Sequence, residues 1–476
     1  MAGEEETKPR AEVSRLETEN AALRTENTAL RAENEQLRQE LGQQSEQLAG
    51  VLEQIAELER RRGGVPSFVK RDRPKRQEPR GERKKRAAVH NTSRKRGQPT
   101  RIERHALERC PECQYRLSGE SLSYRREVVE LPPPQPVEVI EHQVIKRWCP
   151  HCGKWRSPRL DLSGQVLGRG RIGMRIVSLV VHLRTTLRLP GQKIQTYLET
   201  VHGLRLSVGE IQALAHRARQ QLQPHMDALK AAVQTSPVVH GDETGWREDG
   251  HNGYVWAFAT SGPTAVRYFE HHRSRAHQVA QNILGPTFRG WLVSDFYSAY
   301  NLIPGRHQRC WVHLLRDLHA LKEEHAEDAE VVGWATAVRG VYDEAQGWLG
   351  KHPQATAEAR QVAYTQAFTD ICALGRQYAR TREHPCSTLA KRVLRHQDEL
   401  FQFLLVPGLP ADNNLVERSL RPLVIMRKIS GGSRSKEGTI TRLTLASLLD
   451  TWAARNLNPF HQCLAALQQP SAHAPP

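Results

Sequence analysis

At 476 residues the chain is too long for one hydrophobic core, and about three or four domains are expected. The formal charge of +17 predicts a polyanionic partner, yet 18 Lys or Arg against 4 Asp or Glu fall between Arg60 and Arg104, so the basic character belongs to one segment. No apolar run has the length of a membrane helix and the start MAGEEETK lacks the regions of a signal peptide, so a membrane protein is excluded on this reading and a soluble, cytoplasmic home is expected.

Residues 13–58 hold one heptad register. Leu16, Leu23, Leu30 and Leu37 stand at d, continued by Gln44, Val51 and Leu58; Val13, Asn20, Asn27, Asn34, Leu41, Leu48 and Ile55 stand at a. Leucine at d with Asn at a favours a two-stranded parallel coiled coil, because the amides pair across the seam in one register only. Residues 11–60 are therefore expected to be a dimerisation helix and the chain a homodimer, a solvated helix packed on its own protein being the alternative. Residues 61–104 carry Pro66, Pro74, Pro79 and Pro99 among runs such as Arg83-Lys84-Lys85-Arg86. Such a segment buries no core and is expected to be disordered when free, either neutralising phosphates without reading sequence or serving as a plain linker.

Cys110-Pro-Glu-Cys113 and Cys149-Pro-His-Cys152 follow, 35 residues apart. Eight cysteines are too few for a disulfide scaffold in a chain of this length. Two residues between thiols let each pair hold one edge of a tetrahedral zinc, so residues 105–160 are expected to form a four-cysteine ribbon around a structural Zn²⁺. His105 and His151 are spare donors, and a redox pair is the competing chemistry. Residues 161–235 read as helical. The words LPGQKIQTYLETVHG and SVGEIQALAHRARQQL, with a turn at Leu204 to Leu206, have helix-turn-helix punctuation, and Ser207 and Glu210 form a capping box. The face holding His216, Arg217 and Arg219 is the candidate DNA surface, with Arg217 the chosen contact and an inert helical hairpin the alternative.

From Ser236 the period becomes that of strands. SPVVHGDETGWRE, NGYVWAFATSG and AVRYFEHH predict a meander turning at Asp249-Gly250 and Gly262-Pro263; a helix from Arg275 to Leu284 leads to a short strand in WLVSDFYSAY. Residues 236–304 and 412–466 are expected to form the two parts of one core, with a helical insertion at 305–411 and a disordered tail at 467–476. Asp242, Asp295 and Glu417 in these words are ligands of the kind that hard divalent cations prefer. Glu243 and Asp249 rival Asp242, and each acid has a local alternative: a strand-end turn, a helix cap, or an i,i+4 ion pair of Glu417 with Arg421. Between the second and third acids lies Cys310-Trp311-Val312-His313. Arg418, Arg421, Arg427, Lys428, Arg434 and Lys436 surround Gly431-Gly432 and suit a phosphate backbone; Arg421, Arg427 and Lys428 are the candidate DNA contacts.

The run from Asp412 to Gly438, DNNLVERSLRPLVIMRKISGGSRSKEG, with the GDET and SDFYSAY words and the CPEC/CPHC pair, resembles the DDE transposases of bacterial insertion sequences. The resemblance is to the insertion-sequence sixty-six family and spans most of the chain. It implies a multidomain α/β protein with a ribonuclease-H-like catalytic core, interrupted by a helical insertion and preceded by coiled coil, zinc ribbon and helix-turn-helix-like region. It implies that Asp242 is shared by two Mg²⁺ or Mn²⁺ ions, that Asp295 and Glu417 each complete one site, and that His313 meets the scissile phosphate or the leaving strand. The implied function is binding of element ends, DNA strand cleavage and strand transfer in a bacterial, nucleoid-associated setting, with small accessory proteins as further partners. A nuclease that cuts without joining would lack the coiled coil and ribbon; a non-catalytic domesticated DNA-binding regulator is disfavoured by the presence of all three acids.

Overall fold

The computed structural model describes residues 7–62, 98–131 and 133–469. The basic segment expected at 61–104 lies outside the described residues except for 61–62 and 98–104, and so does the expected tail beyond residue 469. The chain falls into two units, residues up to 129 and residues from 130 onward. In the first, α1 (Thr7–Arg62) is one unbroken helix. Its Leu16, Leu23, Leu30, Leu37 and Leu41 are all more than half exposed, with relative exposures from 51% to 71%. The same unit holds the first cysteine knuckle, where Gln114, at φ 63°, donates its amide to the Cys110 carbonyl at 2.9 Å.

The second unit opens with the antiparallel pair β1 (Arg147–Cys149) and β2 (Lys154–Arg156), whose connecting turn carries the second knuckle. Four helices follow: α2 (Met174–Thr185), α3 (Gly191–His202), α4 (Val208–Gln221) and α5 (Gln223–Gln234). The α3–α4 pair stands where helix-turn-helix punctuation predicted it. Gly203 ends α3 at φ 65°, and the Ser207 hydroxyl accepts the Glu210 amide at 3.1 Å to start α4. Ile211, Leu214, Ala215 and Ala218 form the buried stripe of α4 at helical spacing.

The sheet has the order β5-β4-β3-β6-β7. β3 (Val238–Glu248), β4 (His251–Ala259) and β5 (Arg267–His272) form the expected meander, and Asp249 at φ 49° with Gly250 at φ 76° make the tight turn between the first two. After α6 (His277–Leu284), β6 (Trp291–Ser294) pairs in parallel with β3. A short 3₁₀ turn, Ser298–Leu302, leads to β7 (Arg306–Arg309), parallel to β6. β7 reads RHQR and lies inside the region expected to be a helical insertion. Its strand state is invisible to hydropathy because its buried residues serve polar groups: Gln308 donates to the Leu400 carbonyl at 3.0 Å and accepts the Phe403 amide at 3.0 Å.

Beyond β7 the chain is helical: α7 (Trp311–Glu324), α8 (Ala329–Lys351), α9 (Ala357–Tyr378), α10 (Ser387–Arg395), α11 (Gln397–Leu400) and α12 (Gln402–Leu405). These helices pack on their own core, which includes Trp311, Trp334, Phe401 and Phe403. The chain then returns to the sheet as α13 (Asn414–Ser430), α14 (Lys436–Ala454) and α15 (Pro459–Gln468).

Alternation along the strands sorts the sheet into two faces. Trp256, Phe258 and Leu292 join the core formed with α2 to α5; Trp246, Val255 and Ala257 pack with Val416, Leu420 and Leu423 of α13. The edge strand β5 is covered by α14. Ser447 and Thr451 accept the amides of Phe269 and Arg267 at 2.9 and 2.8 Å. Four helical residues rise about 6.0 Å and two strand residues about 6.6 Å, so hydroxyls at i and i+4 meet alternate amides of the edge. Among the described residues no helix is long and apolar enough to cross a membrane.

Candidate active site

Asp242 lies near the middle of β3, Asp295 directly after β6 and Glu417 in the first turn of α13. β3 and β6 are hydrogen-bonded neighbours, so the first two acids come from adjacent parallel strands. The third is brought in by a helix clamped to β3 at both ends. At its start Asn413, fully buried, donates to the Gly241 carbonyl at 2.8 Å and accepts from His240 Nδ1 at 3.1 Å. Burial holds His240 neutral, with a pKa lowered to about 4, so the ring stays a one-proton donor. At its end α13 stops at Gly431, φ 68°, and Ser433 exchanges backbone bonds with Arg247 and Asp249. Gly432 fits this crossing because a Cβ there would lie 2.1 Å from the Arg247 carbonyl oxygen.

An open cleft of about 400 Å³ lies between β3 and α13, lined by Asp242, Thr244, Glu417 and Arg421 among others. Burial raises the Asp242 pKa to about 8, and the charges of Glu243, Asp295 and Glu417 push the same way. Asp242 accepts the Glu243 amide at 2.8 Å, and Asp295 accepts the Tyr297 amide at 2.9 Å, closing a turn that fixes its side chain. Glu417 stands 3.7 Å from His313, and its Oε1 is buried without a hydrogen-bond partner among the described residues.

The rivals of Asp242 are otherwise engaged. Glu243 is 2% exposed, takes two bonds from Arg275 at 2.9 and 2.5 Å, and receives the Tyr300 hydroxyl at 2.6 Å. Asp249 sits in the β3–β4 turn. Cys310 is fully buried at the start of α7, where its sulfur accepts the Asn413 amide at 3.1 Å and burial raises its pKa to about 11. Of the basic candidates, Arg421 and Lys428 are exposed, whereas Arg427 donates to Thr244 Oγ1 at 3.2 Å and to the Gly245 carbonyl. Of the three candidates on α4, Arg217 alone is exposed: His216 bonds Thr441 at 2.7 Å and Arg219 lies 3.9 Å from Glu437, both on α14. Asn413, Arg309, Tyr300 and Arg275 complete the support of the acids; Asn413 and Tyr300 sit inside the distinctive words, whereas Arg309 and Arg275 carry no local sequence signal.

The residues fit divalent cations. Carboxylates crowded with little compensating positive charge, one raised to a pKa of about 8 and another with an unpartnered buried oxygen, are an arrangement that a cation satisfies. In the cysteine knuckles the amide of Cys113 lowers the Cys110 pKa and the amide of Cys152 lowers that of Cys149, which favours the thiolates zinc requires.

The profile described as Transposase IS66 family matches residues 169–441, which include all three acids, the basic cleft residues and the support just described. The chain belongs to the IS66 transposase family. The zinc-finger binding domain of transposase IS66 matches residues 108–153, which contain all four knuckle cysteines. Similar proteins occur in Sinorhizobium fredii, all carrying the name uncharacterized protein. y4jO is 30% identical over 183 residues, 38% of this chain and 52% of its own length. y4qI is 30% identical over 230 residues, 43% of this chain and 41% of its own length. y4jD is 26% identical over 318 residues, 60% of this chain and 61% of its own length. The chain thus spans about half the length of these relatives.

Proposed function

We propose that this IS66-family chain binds the ends of its mobile element, cleaves a DNA strand there and joins the freed 3′-hydroxyl to target DNA at a single DDE site. The observation that carries this reading is that Asp242 and Glu417 line one cleft and that Asp242, its pKa raised to about 8 by burial and by the neighbouring acids, feels the charges of both Asp295 and Glu417. The mixed sheet, an antiparallel meander extended in parallel by β6 and β7, supports a ribonuclease-H-like core.

Asp242, Asp295 and Glu417 would hold two Mg²⁺ or Mn²⁺ ions, Asp242 being shared. The chemistry such ions supply is activation of the attacking oxygen and stabilisation of the leaving one. Asp242 must surrender its proton to act as a ligand, so the ions and the proton would compete for it. Arg421 and Lys428 would offer charge to the phosphate backbone, and His313 would hydrogen-bond the phosphate or the leaving strand. Cys110, Cys113, Cys149 and Cys152 would hold a structural Zn²⁺. The exposed leucine stripe of α1 supports a two-stranded coiled coil, which would pair two protomers and hence two DNA ends.

The test is a Mg²⁺-dependent cleavage and strand-transfer assay on labelled element-end DNA, with wild type and an Asp295→Ala variant that still binds DNA. Both products should disappear together in the variant. Cleavage that survives the substitution sinks the assignment of the site.

A further inference from the structure

Cys310, His313 and Glu417 each present a donor atom, and these atoms all lie within 4.8 Å of one another. They come from the first turn of α7 and the first turn of α13, segments about a hundred residues apart in the chain that Asn413 ties together through its amide bond to the Cys310 sulfur. The His313 Nε2 to Glu417 Oε1 separation is 3.7 Å. That is too long for a hydrogen bond. It is near the spacing of about 3.5 Å between two ligands of a tetrahedral zinc with bonds of about 2.0–2.2 Å. Glu417 Oε1 is also buried with no hydrogen-bond partner among the described residues, so the pocket holds a donor atom that the protein itself leaves unsatisfied.

We propose that Cys310, His313 and Glu417 form a second transition-metal site, selective for Zn²⁺ or a similar borderline ion, which competes for Glu417 with the catalytic cations. The donor set argues for that selectivity. One sulfur, one imidazole nitrogen and one carboxylate oxygen suit zinc, whereas magnesium takes oxygen ligands in octahedral geometry. Glu417 lines the cleft, so the ion would reach the buried donors from the cleft and take water as its fourth ligand. On binding, the Cys310 thiol proton leaves to solvent and the amide of Asn413 is already aimed at the resulting thiolate. Occupancy by zinc withdraws Glu417 from the triad, so the site acts as an inhibitory brake. This rests on the transposase reading only for its consequence; the binding itself does not depend on it.

The full-length chain is loaded with Co²⁺ as a spectroscopic stand-in for zinc, and the bound equivalents are counted for wild type, Cys310→Ser and His313→Ala. The wild type should bind an additional equivalent that both variants lose, with the thiolate bands of the four-cysteine ribbon unchanged. Equal stoichiometry in all three overturns the site, and His313→Ala keeps the test decisive should Cys310→Ser fold poorly. Zinc should also suppress Mg²⁺-dependent cleavage by about tenfold or more in wild type and far less in Cys310→Ser, each protein compared with itself without zinc. Equal suppression in both overturns the brake. If the extra equivalent is absent while Asp295→Ala still abolishes cleavage, this site falls and the transposase reading stands.

Discussion

Arg309 donates to the backbone carbonyl of Asp295 at 2.9 Å, tying the second acid to a guanidinium that no solvent reaches. The same side chain bonds Ser294 Oγ at 3.1 Å, Asn301 at 2.7 Å and Glu399 at 2.6 Å. Burial opposes the charge on Glu399, but hydrogen bonds from His396 and Arg309 prevail and lower its pKa to about 2. Arg309 thus fastens the Asp295 loop to the helical insertion. Arg309→Leu leaves the partly buried Glu399 with His396 as its remaining partner and should destabilise the protein by about 3 kcal/mol in urea denaturation. The double change Arg309→Met with Glu399→Leu should recover much of that stability. Cleavage should stay low in the double variant, because the Asp295 carbonyl is still untethered; full recovery of activity would mean that Arg309 acts on stability alone.

Asp242 predicts a pH signature. Its pKa is about 8 when folded, against an ordinary 3.8. Between those values the folded chain keeps a proton that the unfolded chain has released. Stability therefore falls as pH rises from about 4 to about 8 in the absence of divalent ions. Asp242→Asn should flatten that slope and raise the melting temperature at pH 8 by a few degrees, on the order of 1 kcal/mol. Mg²⁺ competes with the same proton, so it should stabilise the wild type at pH 8 and hardly at pH 5. A Mg²⁺ shift that is equal at both pH values would place the ion elsewhere.

These two predictions mark where sequence reading succeeds and where it stops. The capping box at Ser207, the Asp249-Gly250 turn and the meander around Asp242 were legible because each is decided within a few residues. Arg309, Asn413 and the polar strand β7 were not, because each depends in part on a partner 90 to 173 residues away, Glu399 for Arg309, Leu400 for Gln308 and His240 for Asn413, and no local pattern announces it. His216 and Arg219 show the converse failure. They read as a DNA face on α4, yet Thr441 and Glu437 of α14 occupy them. The acids proposed for the site were singled out only by the distinctive words around them.

The basic residues of α13 should separate into two behaviours. Arg421 is exposed in the cleft, so Arg421→Ala should weaken DNA binding for all sequences alike and reduce the salt slope of binding by about 1. Arg427 is bonded to Thr244 and Gly245, two and three residues beyond Asp242 on β3. Arg427→Ala should therefore lower the melting temperature and cleavage more than the salt slope. Fluorescence anisotropy across a salt series, set beside thermal melts, distinguishes them; identical salt slopes for both variants would contradict the assignment.

The last prediction concerns α1, whose leucines at d are more than half exposed. A seam with Leu16, Leu23, Leu30 and Leu37 at d needs a partner helix to bury it, and Asn27 and Asn34 at a favour two parallel strands. Asn34 Nδ2 bonds the Leu30 carbonyl of its own helix at 2.9 Å, a contact that pairing with a second protomer would exchange for one across the seam. Leu23→Lys with Leu30→Lys places like charges at two adjacent d layers of each strand. Sedimentation should then change from dimer to monomer while the fold beyond residue 130 melts unchanged. Replacing Asn27 and Asn34 by Leu should instead raise helix stability and broaden the oligomer distribution, since the register device is gone. Monomeric wild type at micromolar concentration would remove the dimer, and with it the pairing of two DNA ends through α1.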